Sequence, residues 1–186
     1  MKTLLKLSLI LLLIGFTNTG CEKIKELADV TFDADFEAEM DVAVQPTLKS
    51  GQAMGTFSEQ ETIDPNTNED FKTYASKIKE VKVEKVIVEI TQITNAPGST
   101  VQVGSATLSV EKSGYTSAQW VEQNVTLTVG KTFEYSTTSD QFTNLMNIIN
   151  TKESFDVKFF GTADPVDAGF RVKVYINTKI TANALN

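Results

Sequence analysis

The stretch TFDADFEAEMDVAV, residues 31–44, alternates apolar and polar side chains along almost its whole length. Its even-numbered positions are all apolar, and its odd-numbered positions from Asp33 to Asp41 are all acidic. Because successive side chains of a β-strand point to opposite faces, this period of two is typical of a strand with one buried and one solvated face. The stretch therefore predicts one long β-strand.

The acidic side of that strand raises the question of a cation site. Carboxylates two residues apart on a strand lie about 6.6 Å from each other, too far for neighbours to hold one ion together. We interpret the row as a solvated face, partly neutralised by cations on other strands of the sheet. The candidates are Arg171 and Lys173 near the C-terminus, or Lys82 in the middle of the chain.

Other parts of the chain also have strand-like patterns. The apolar parity changes between Val83 and Val86, which indicates a β-bulge or burial on both faces, and the parity of a later strand changes at Gly104. Turn sequences at Pro97-Gly98 and Gly130-Lys131 predict that the strands on either side of each turn pair as hairpins. The further strands are predicted at 51–63, 81–93, 100–110, 125–129, 132–136, 154–161 and 169–182.

Two segments have helical rather than strand-like spacing. Residues 69–79 place Phe71, Tyr74, Ala75 and Ile78 on one face, and residues 139–150 do the same with Phe142, Leu145, Met146 and Ile149. About seven or eight strands without helical crossovers between parallel neighbours favour an antiparallel β-sandwich, immunoglobulin-like or similar, over a parallel sheet. The predicted fold class is thus mainly β, with two short helices in a single domain over residues 30–186.

The N-terminal residues 1–20 have a different organisation. A basic start, MKTLLK, is followed by the ten-residue apolar stretch LSLILLLIGF and the small polar segment TNTG. Ten apolar residues span about 15 Å as a helix, roughly half of a bilayer core. This layout predicts a secretory signal peptide and therefore export of the chain.

Gly20 stands directly before Cys21, the only cysteine, and this arrangement resembles the signal sequences of bacterial lipoproteins. The usual pattern has Leu three residues before the cysteine, where this chain has Asn18. The resemblance implies cleavage after Gly20, a lipid on the Cys21 sulfur and a membrane as the first partner. Residues 21–29 would then form a short tether, with the outer membrane as the expected location and the periplasm or the cell surface as the side it faces. The alternative is an ordinary signal peptide with Cys21 as an incidental thiol.

Composition excludes several classes of function. The 186 residues carry a formal net charge of −7 and include one arginine, so nucleic-acid binding is not expected. Because the chain has no histidine, Ser-His-Asp hydrolases, Cys-His proteases and the common zinc enzymes are excluded. A hydrolase that relies on carboxylates alone stays open, but no pair of acids stands out in an apolar setting. We predict no catalysis and no cofactor.

The segment DPNTNED, residues 64–70, is the closest approach to a metal-binding motif. Asp64, Asn66, Asn68 and Asp70 alternate like the first ligands of a calcium loop, but Glu69 replaces the glycine of that loop. We interpret the segment as a turn in which Thr67 or Asn68 caps the following helix, and we predict no metal site.

Aromatic residues offer the remaining candidates. Trp120, the only tryptophan, and Tyr115 flank a polar stretch, where they could stack on a sugar ring or dock a partner. They could equally cover a sheet edge or pack beneath the helix at 139–150. Phe160 and Tyr175 are predicted to lie on the strand faces opposite Phe159 and Val174.

The sequence as a whole predicts a lipid-anchored envelope protein that acts as an interaction or accessory module, with an unknown envelope protein as its partner. The alternatives are a module that binds a glycan or an apolar molecule and, less favoured, a carboxylate-dependent glycoside hydrolase. An open groove beside Trp120 and Tyr115 would favour a glycan, and an enclosed apolar cavity would favour a lipid-like ligand.

Overall fold

The computed structural model describes residues 28–47, 54–136 and 140–184. The predicted signal peptide 1–20, the cleavage site at Gly20, Cys21 and most of the tether lie outside these residues. The described strands are β1 Asp29–Asp33, β2 Phe36–Ala43, β3 Gly55–Ile63, β4 Ile78–Thr94, β5 Val101–Glu111, β6 Ala118–Leu127, β7 Thr132–Ser136, β8 Phe155–Asp164 and β9 Gly169–Asn183, and the α-helices are α1 Glu69–Tyr74 and α2 Asp140–Ile149.

The strands form two antiparallel sheets that pack face to face around one core. In the first sheet, β9 is flanked by β1 and β2 on one side and by β4 and then β7 on the other. The second sheet has the order β3-β8-β5-β6. From β2 onward the chain changes sheet at every connection except the β5–β6 hairpin, which is the strand order of a jelly roll. The mainly-β antiparallel sandwich is confirmed, and its strand order is that of a jelly roll rather than of an immunoglobulin domain.

The stretch 31–44 has the predicted faces but not the predicted continuity. Burial alternates without a break from Thr31 to Val44, with the apolar side chains inward. The strand is nevertheless divided between β1 and β2, both paired with β9 in a common register. At the break, the Thr178 N–H donates to a carboxylate oxygen of Asp35, and the Thr178 hydroxyl donates to the Ala34 carbonyl. These side-chain hydrogen bonds replace part of the backbone ladder, so the described chain has nine strands rather than seven or eight.

Two predicted hairpins are wrong in the same way. The turn at Pro97-Gly98 leads from β4 in the first sheet to β5 in the second, and the turn at Gly130-Lys131 leads from β6 in the second sheet to β7 in the first. Both glycines adopt positive φ, as the turns require. The Gly130 N–H donates to the carbonyl of Ile90 in β4, and the Ile90 N–H donates to the Lys131 carbonyl, so this turn packs against the sheet that it enters.

The structure has a β-bulge at each of the two changes of parity. The pairing of β4 with β9 shifts between Val83 and Lys85, so Glu84 is the extra residue. The pairing of β5 with β8 shifts at Gly104, where a Cβ atom would lie 2.7 Å from the Met54 sulfur. A change of apolar parity within a strand is therefore a reliable local signal in this chain.

The two helices lie in connections that cross between the sheets at the same end of the sandwich. The first helix is shorter than predicted because Ile78 already pairs with Ala182 at the start of β4, and a 3-10 turn, Ala75–Lys77, fills the interval. The second buries Phe142, Leu145 and Ile149 as predicted, with Ile148 added and Met146 only partly covered. In the described part of the chain, no helix is long and apolar enough to cross a membrane.

The acidic row lies on the outer face of the first sheet and is partly neutralised across strands, as predicted. Arg171 donates to both carboxylate oxygens of Asp41, at 2.7 and 3.0 Å, and lies 3.3 Å from Glu39. Lys173 also contacts Glu39, at 3.1 Å. Hydrogen bonds from Arg171 hold the pKa of Asp41 below its ordinary value. Lys82 pairs in register with Lys179 rather than with an acid of the row.

Candidate functional site

An open groove lies where the β5–β6 hairpin meets the C-terminal half of α2. We call it the Tyr115 groove. Its volume is about 460 Å³. One wall is the hairpin loop, and the other is the helix and the two residues that follow it. It is lined by Gly114, Tyr115, Thr116, Asn144, Asn147, Asn150 and Thr151.

The hairpin loop presents its aromatic residue to solvent. The Tyr115 N–H donates to the Lys112 carbonyl in a tight turn, and Gly114 has a φ of 85°, a conformation that costs little only for glycine. Tyr115 is 49% exposed, which makes it one of three large hydrophobic side chains that the described residues leave exposed. The ring is therefore available to a ligand.

The helical wall is a row of side-chain amides. Asn144, Asn147 and Asn150 are three residues apart, a spacing that places them along one face of the helix. The helix ends here because Lys152 adopts a positive φ of 62° and the Thr151 hydroxyl donates to the Ile148 carbonyl at 2.7 Å. Among the described residues, the side chains of Asn147 and Asn150 have no hydrogen-bond partner, so their donors and acceptors are free for a ligand.

Several hydrogen bonds fix the two walls relative to each other. The Asn144 amide donates to the Ser117 carbonyl at 3.2 Å, and the Gln119 N–H donates to the Gln141 side chain at 2.7 Å. Lys112 donates to the Ser154 carbonyl at 3.0 Å. The groove is consequently held open before any ligand arrives, which lowers the entropic cost of binding.

Trp120, the other predicted site residue, does not line the Tyr115 groove. It is 8% exposed and points into the core from β6. Its ring stacks on Tyr135 of β7 at 5.4 Å and meets the edge of Phe142 at 5.7 Å. Trp120 therefore packs beneath the helix, which was one of the two interpretations of its sequence. Tyr115 has the exposed position that stacking on a ligand requires.

Tyr135, which stacks on Trp120, also forms a hydrogen bond with a carboxylate. Its hydroxyl donates to a carboxylate oxygen of Glu122 at 3.1 Å, across the edge strands β7 and β6 of the two sheets. Burial, together with the Glu122 carboxylate, raises the pKa of Tyr135 well above its ordinary value. The phenol therefore stays protonated and keeps its hydrogen bond at any physiological pH.

A second groove of similar volume, about 460 Å³, lies beside the N-terminal end of α1. We call it the Asp35 groove. It is lined by Asp35, Phe36, Glu37, Thr62, Ile63, Asp64, Thr67 and Asn68. Unlike the Tyr115 groove, it carries three carboxylates, and its one aromatic residue, Phe36, is buried in the core.

The polar groups of the DPNTNED segment are used for capping, as predicted. The Asn68 side chain accepts the Phe71 N–H at 3.0 Å and so caps α1. Asp64 accepts both the backbone and the side-chain N–H of Asn66, and these bonds lower the pKa of Asp64. Within the described ranges, no group of three or more His, Cys, Asp or Glu residues could hold a metal ion.

Phe160 and Tyr175, which were predicted to lie opposite the inward residues Phe159 and Val174, both lie on the outer faces of their sheets. Phe160 is half-buried on the outer face of the second sheet, in a row across the four strands with Ser58, Thr107 and Val121. Tyr175 lies on the outer face of the first sheet, where its hydroxyl donates to Glu89 at 3.3 Å. Sequence reasoning missed the asparagine row, although its spacing of three was visible in a helix it had predicted.

Comparisons with known proteins give similarity of structure only. No protein-family model and no curated protein sequence matches the chain. Among solved structures, the BFDV capsid protein in a decameric form is 10% identical with a TM-score of 0.43, covering 82% of this chain and 99% of its own. Desmodium yellow mottle tymovirus is 9% identical with a TM-score of 0.41, covering 85% and 90%. A carbohydrate-binding module from the family 9 glycoside hydrolase Cel9A of Ruminococcus flavefaciens FD-1 is 16% identical with a TM-score of 0.33, covering 77% and 97%.

Proposed function

We propose that this protein is a non-catalytic binding module of the bacterial cell envelope, anchored by a lipid on Cys21, and that its Tyr115 groove binds a glycan. One observation carries the choice of ligand. The groove combines an exposed aromatic ring with free side-chain amides and has no charged residue in its lining.

A sugar ring matches this lining on both of its chemical surfaces. Its C–H face packs on an aromatic ring, and its hydroxyls both donate and accept hydrogen bonds, as a side-chain amide does. An apolar ligand between helix and sheet has less support, because that space is filled by side chains. Trp120, Phe142, Leu145 and Ile149 occupy it and are at most 8% exposed.

A second candidate is recognition of an envelope protein by the outer face of the second sheet. Val121 is 55% exposed there, in the same row as Phe160. Exposed apolar side chains that are neighbours on one face are typical of protein interaction sites. The rest of that face consists mainly of hydroxyl and amide side chains, so the apolar area is small.

A glycan array followed by calorimetry tests the first candidate. The purified protein should bind one or more glycans, and Tyr115→Ala should weaken that binding by at least about tenfold, as expected for an aromatic anchor. Val129→Ala is the matched control, because Val129 is 58% exposed and does not line the groove. Binding that survives Tyr115→Ala but is lost in Val121→Asp would support the second candidate instead.

The sequence of the leader supports the lipid anchor, and such an anchor would hold the domain at the membrane. Each buried methylene of an acyl chain contributes about 0.8 kcal/mol, so one chain binds a membrane only marginally and two or three bind it firmly. The tether from residue 22 to residue 29 reaches at most about 28 Å. The domain would therefore work close to the membrane surface.

Globomycin, which blocks the lipoprotein signal peptidase, tests the anchor. Treated cells should accumulate the uncleaved chain, and mass spectrometry of the native protein should find acyl groups on Cys21. The variant Cys21→Ser should be released from the membrane fraction. Normal processing under globomycin, or a bare thiol in the native protein, would contradict the proposal.

A further inference from the structure

We infer that the Tyr115 groove recognises a neutral oligosaccharide of at least two rings, lying along α2, in preference to a single sugar or an acidic chain. This inference rests on the proposed function and specifies the chemical class of its ligand. The length of the groove supports the preference for more than one ring, and its lack of charge supports the preference for a neutral chain.

The asparagine row sets the length of the site. With a rise of 1.5 Å per residue, the positions of Asn144 and Asn150 are separated by about 9 Å along the helix axis. The facing wall from Gly114 to Thr116 runs beside this row. The volume of about 460 Å³ also lies in the range of sites that enclose ligands larger than one sugar ring. We therefore expect a single ring to leave part of the row unoccupied.

The charge of the groove sets the preference for a neutral chain. None of the seven lining residues is charged. The ammonium of nearby Lys112 is already bound to Glu153 at 2.9 Å and to the Ser154 carbonyl, and its side chain is 14% exposed. Lys152 follows the lining residue Thr151 without lining the groove itself. A sugar carboxylate would therefore lose water without gaining an ion pair.

The net charge of the chain acts in the same direction. Its formal value is −7, and the leader contributes two lysines and no acid. The segment from Cys21 onward is therefore more acidic than the whole chain and repels polyanions at long range. A neutral glycan is insensitive to this repulsion, so its binding should also depend little on salt.

Calorimetric titration of the full protein tests both parts. The probes are neutral gluco- and galacto-oligosaccharides of one to four rings and oligogalacturonides of the same lengths. From one to three neutral rings the affinity should rise by at least about tenfold, since each added ring gains contacts without a second loss of translational freedom. Each oligogalacturonide should bind at least about tenfold more weakly than the neutral chain of its length.

Three variants on α2 refine the test. Asn147→Ala should weaken binding of the longer chains more than binding of the monosaccharide, whereas Thr143→Ala, an exposed change on the same helix outside the groove, should leave both unchanged. Asn147→Lys should increase the affinity for oligogalacturonides, because it places a cation in the lining.

The outcomes separate the inference from the proposal it rests on. Equal binding of one ring and three rings, or oligogalacturonides as good as the neutral chains, would overturn the inference and leave glycan binding intact. No binding of any probe, with no effect of Tyr115→Ala on any measured signal, would overturn the proposed function and the inference with it.

Discussion

The two helical connections of the sandwich close the same end of the core with similar packing, but they present different surfaces. Beside α1, Phe71 meets the edge of Phe36 at 5.7 Å, and Phe36 meets Phe155 of the other sheet at 6.2 Å. Beside α2, Phe142 meets Trp120 of one sheet, which stacks on Tyr135 of the other. Each helix therefore rests on a pair of aromatic rings that joins the two sheets.

The surfaces above these rings differ in charge and in free polar groups. At the Asp35 groove, the carboxylates of Asp35 and Asp64 and the Asn68 amide are engaged in caps and strand contacts. At the Tyr115 groove, the side-chain amides of Asn147 and Asn150 have no hydrogen-bond partner among the described residues, and the Tyr115 ring is exposed. Buried aromatic residues at both connections therefore serve the fold, and the polar residues that capping leaves over line the proposed ligand site.

The largest expected effect is the loss of either inner phenylalanine. Phe71→Ala and Phe142→Ala should each lower the free energy of unfolding by about 3–5 kcal/mol, because both side chains are almost fully buried and leave cavities. Urea unfolding of the two variants measures this directly. A loss under about 1 kcal/mol at one connection would break the claimed equivalence of their packing.

A smaller effect separates Trp120 from Tyr115. Trp120→Phe should lower stability by about 1–3 kcal/mol and leave glycan affinity unchanged, because Trp120 packs beneath α2. Tyr115→Phe should change neither property by much, because the stacking ring is retained. Thermal unfolding and calorimetry report the two quantities. Loss of binding in a fully stable Trp120→Phe protein would return Trp120 to the ligand site.

The caps of the Asp35 groove give an intermediate test. Asn68→Ala should cost about 1 kcal/mol, since the Phe71 N–H loses its side-chain acceptor. Asn147→Ala is the matched control in the other groove, and its effect on stability should stay within about 0.5 kcal/mol because its amide is free. Chemical denaturation of both variants compares them. Equal losses would show that the Asn147 amide is structural after all.

The smallest expected effect is a difference in pH dependence. Hydrogen bonds from Asn66 lower the pKa of Asp64 in the folded state, so this carboxylate stabilises the fold above its unfolded pKa of about 3.9. That contribution is lost as the pH falls through the lower folded pKa. The protection factors of the Asn66 and Thr67 amides against hydrogen exchange should therefore fall as the pH drops below about 4, while glycan affinity stays constant from about pH 5 to 8. Ligand binding that titrates in the latter window would place an ionising group in the Tyr115 groove.

Many features of the fold were predictable because they depend only on residues that are close together in the sequence. The alternation from Phe32 to Val44, the bulges at Glu84 and Gly104 and the Asn68 cap each depend on neighbours in the chain. The pairing of strands does not. Alternation is the same in either sheet, so the sequence around Gly130 could not show that its turn crosses between sheets.

The candidate site was predictable in part. Tyr115 was found as an aromatic residue in a polar stretch, and that stretch is an exposed loop. Trp120 carried the same signal, but its strand alternation places it inward, where α2 covers it. The asparagine row lies about thirty residues later in the chain than Tyr115, and only the folded hairpin brings the two together.

The most direct test of the account uses the side-chain amides of the two grooves as internal probes. Their NMR signals can be followed together while a neutral oligosaccharide is titrated into the protein. We expect shifts at Asn147 and Asn150 that saturate with the calorimetric affinity, and unchanged signals at Asn66 and Asn68. Shifts confined to the Asp35 groove, or saturable binding that leaves all four amides unmoved, would contradict the proposal.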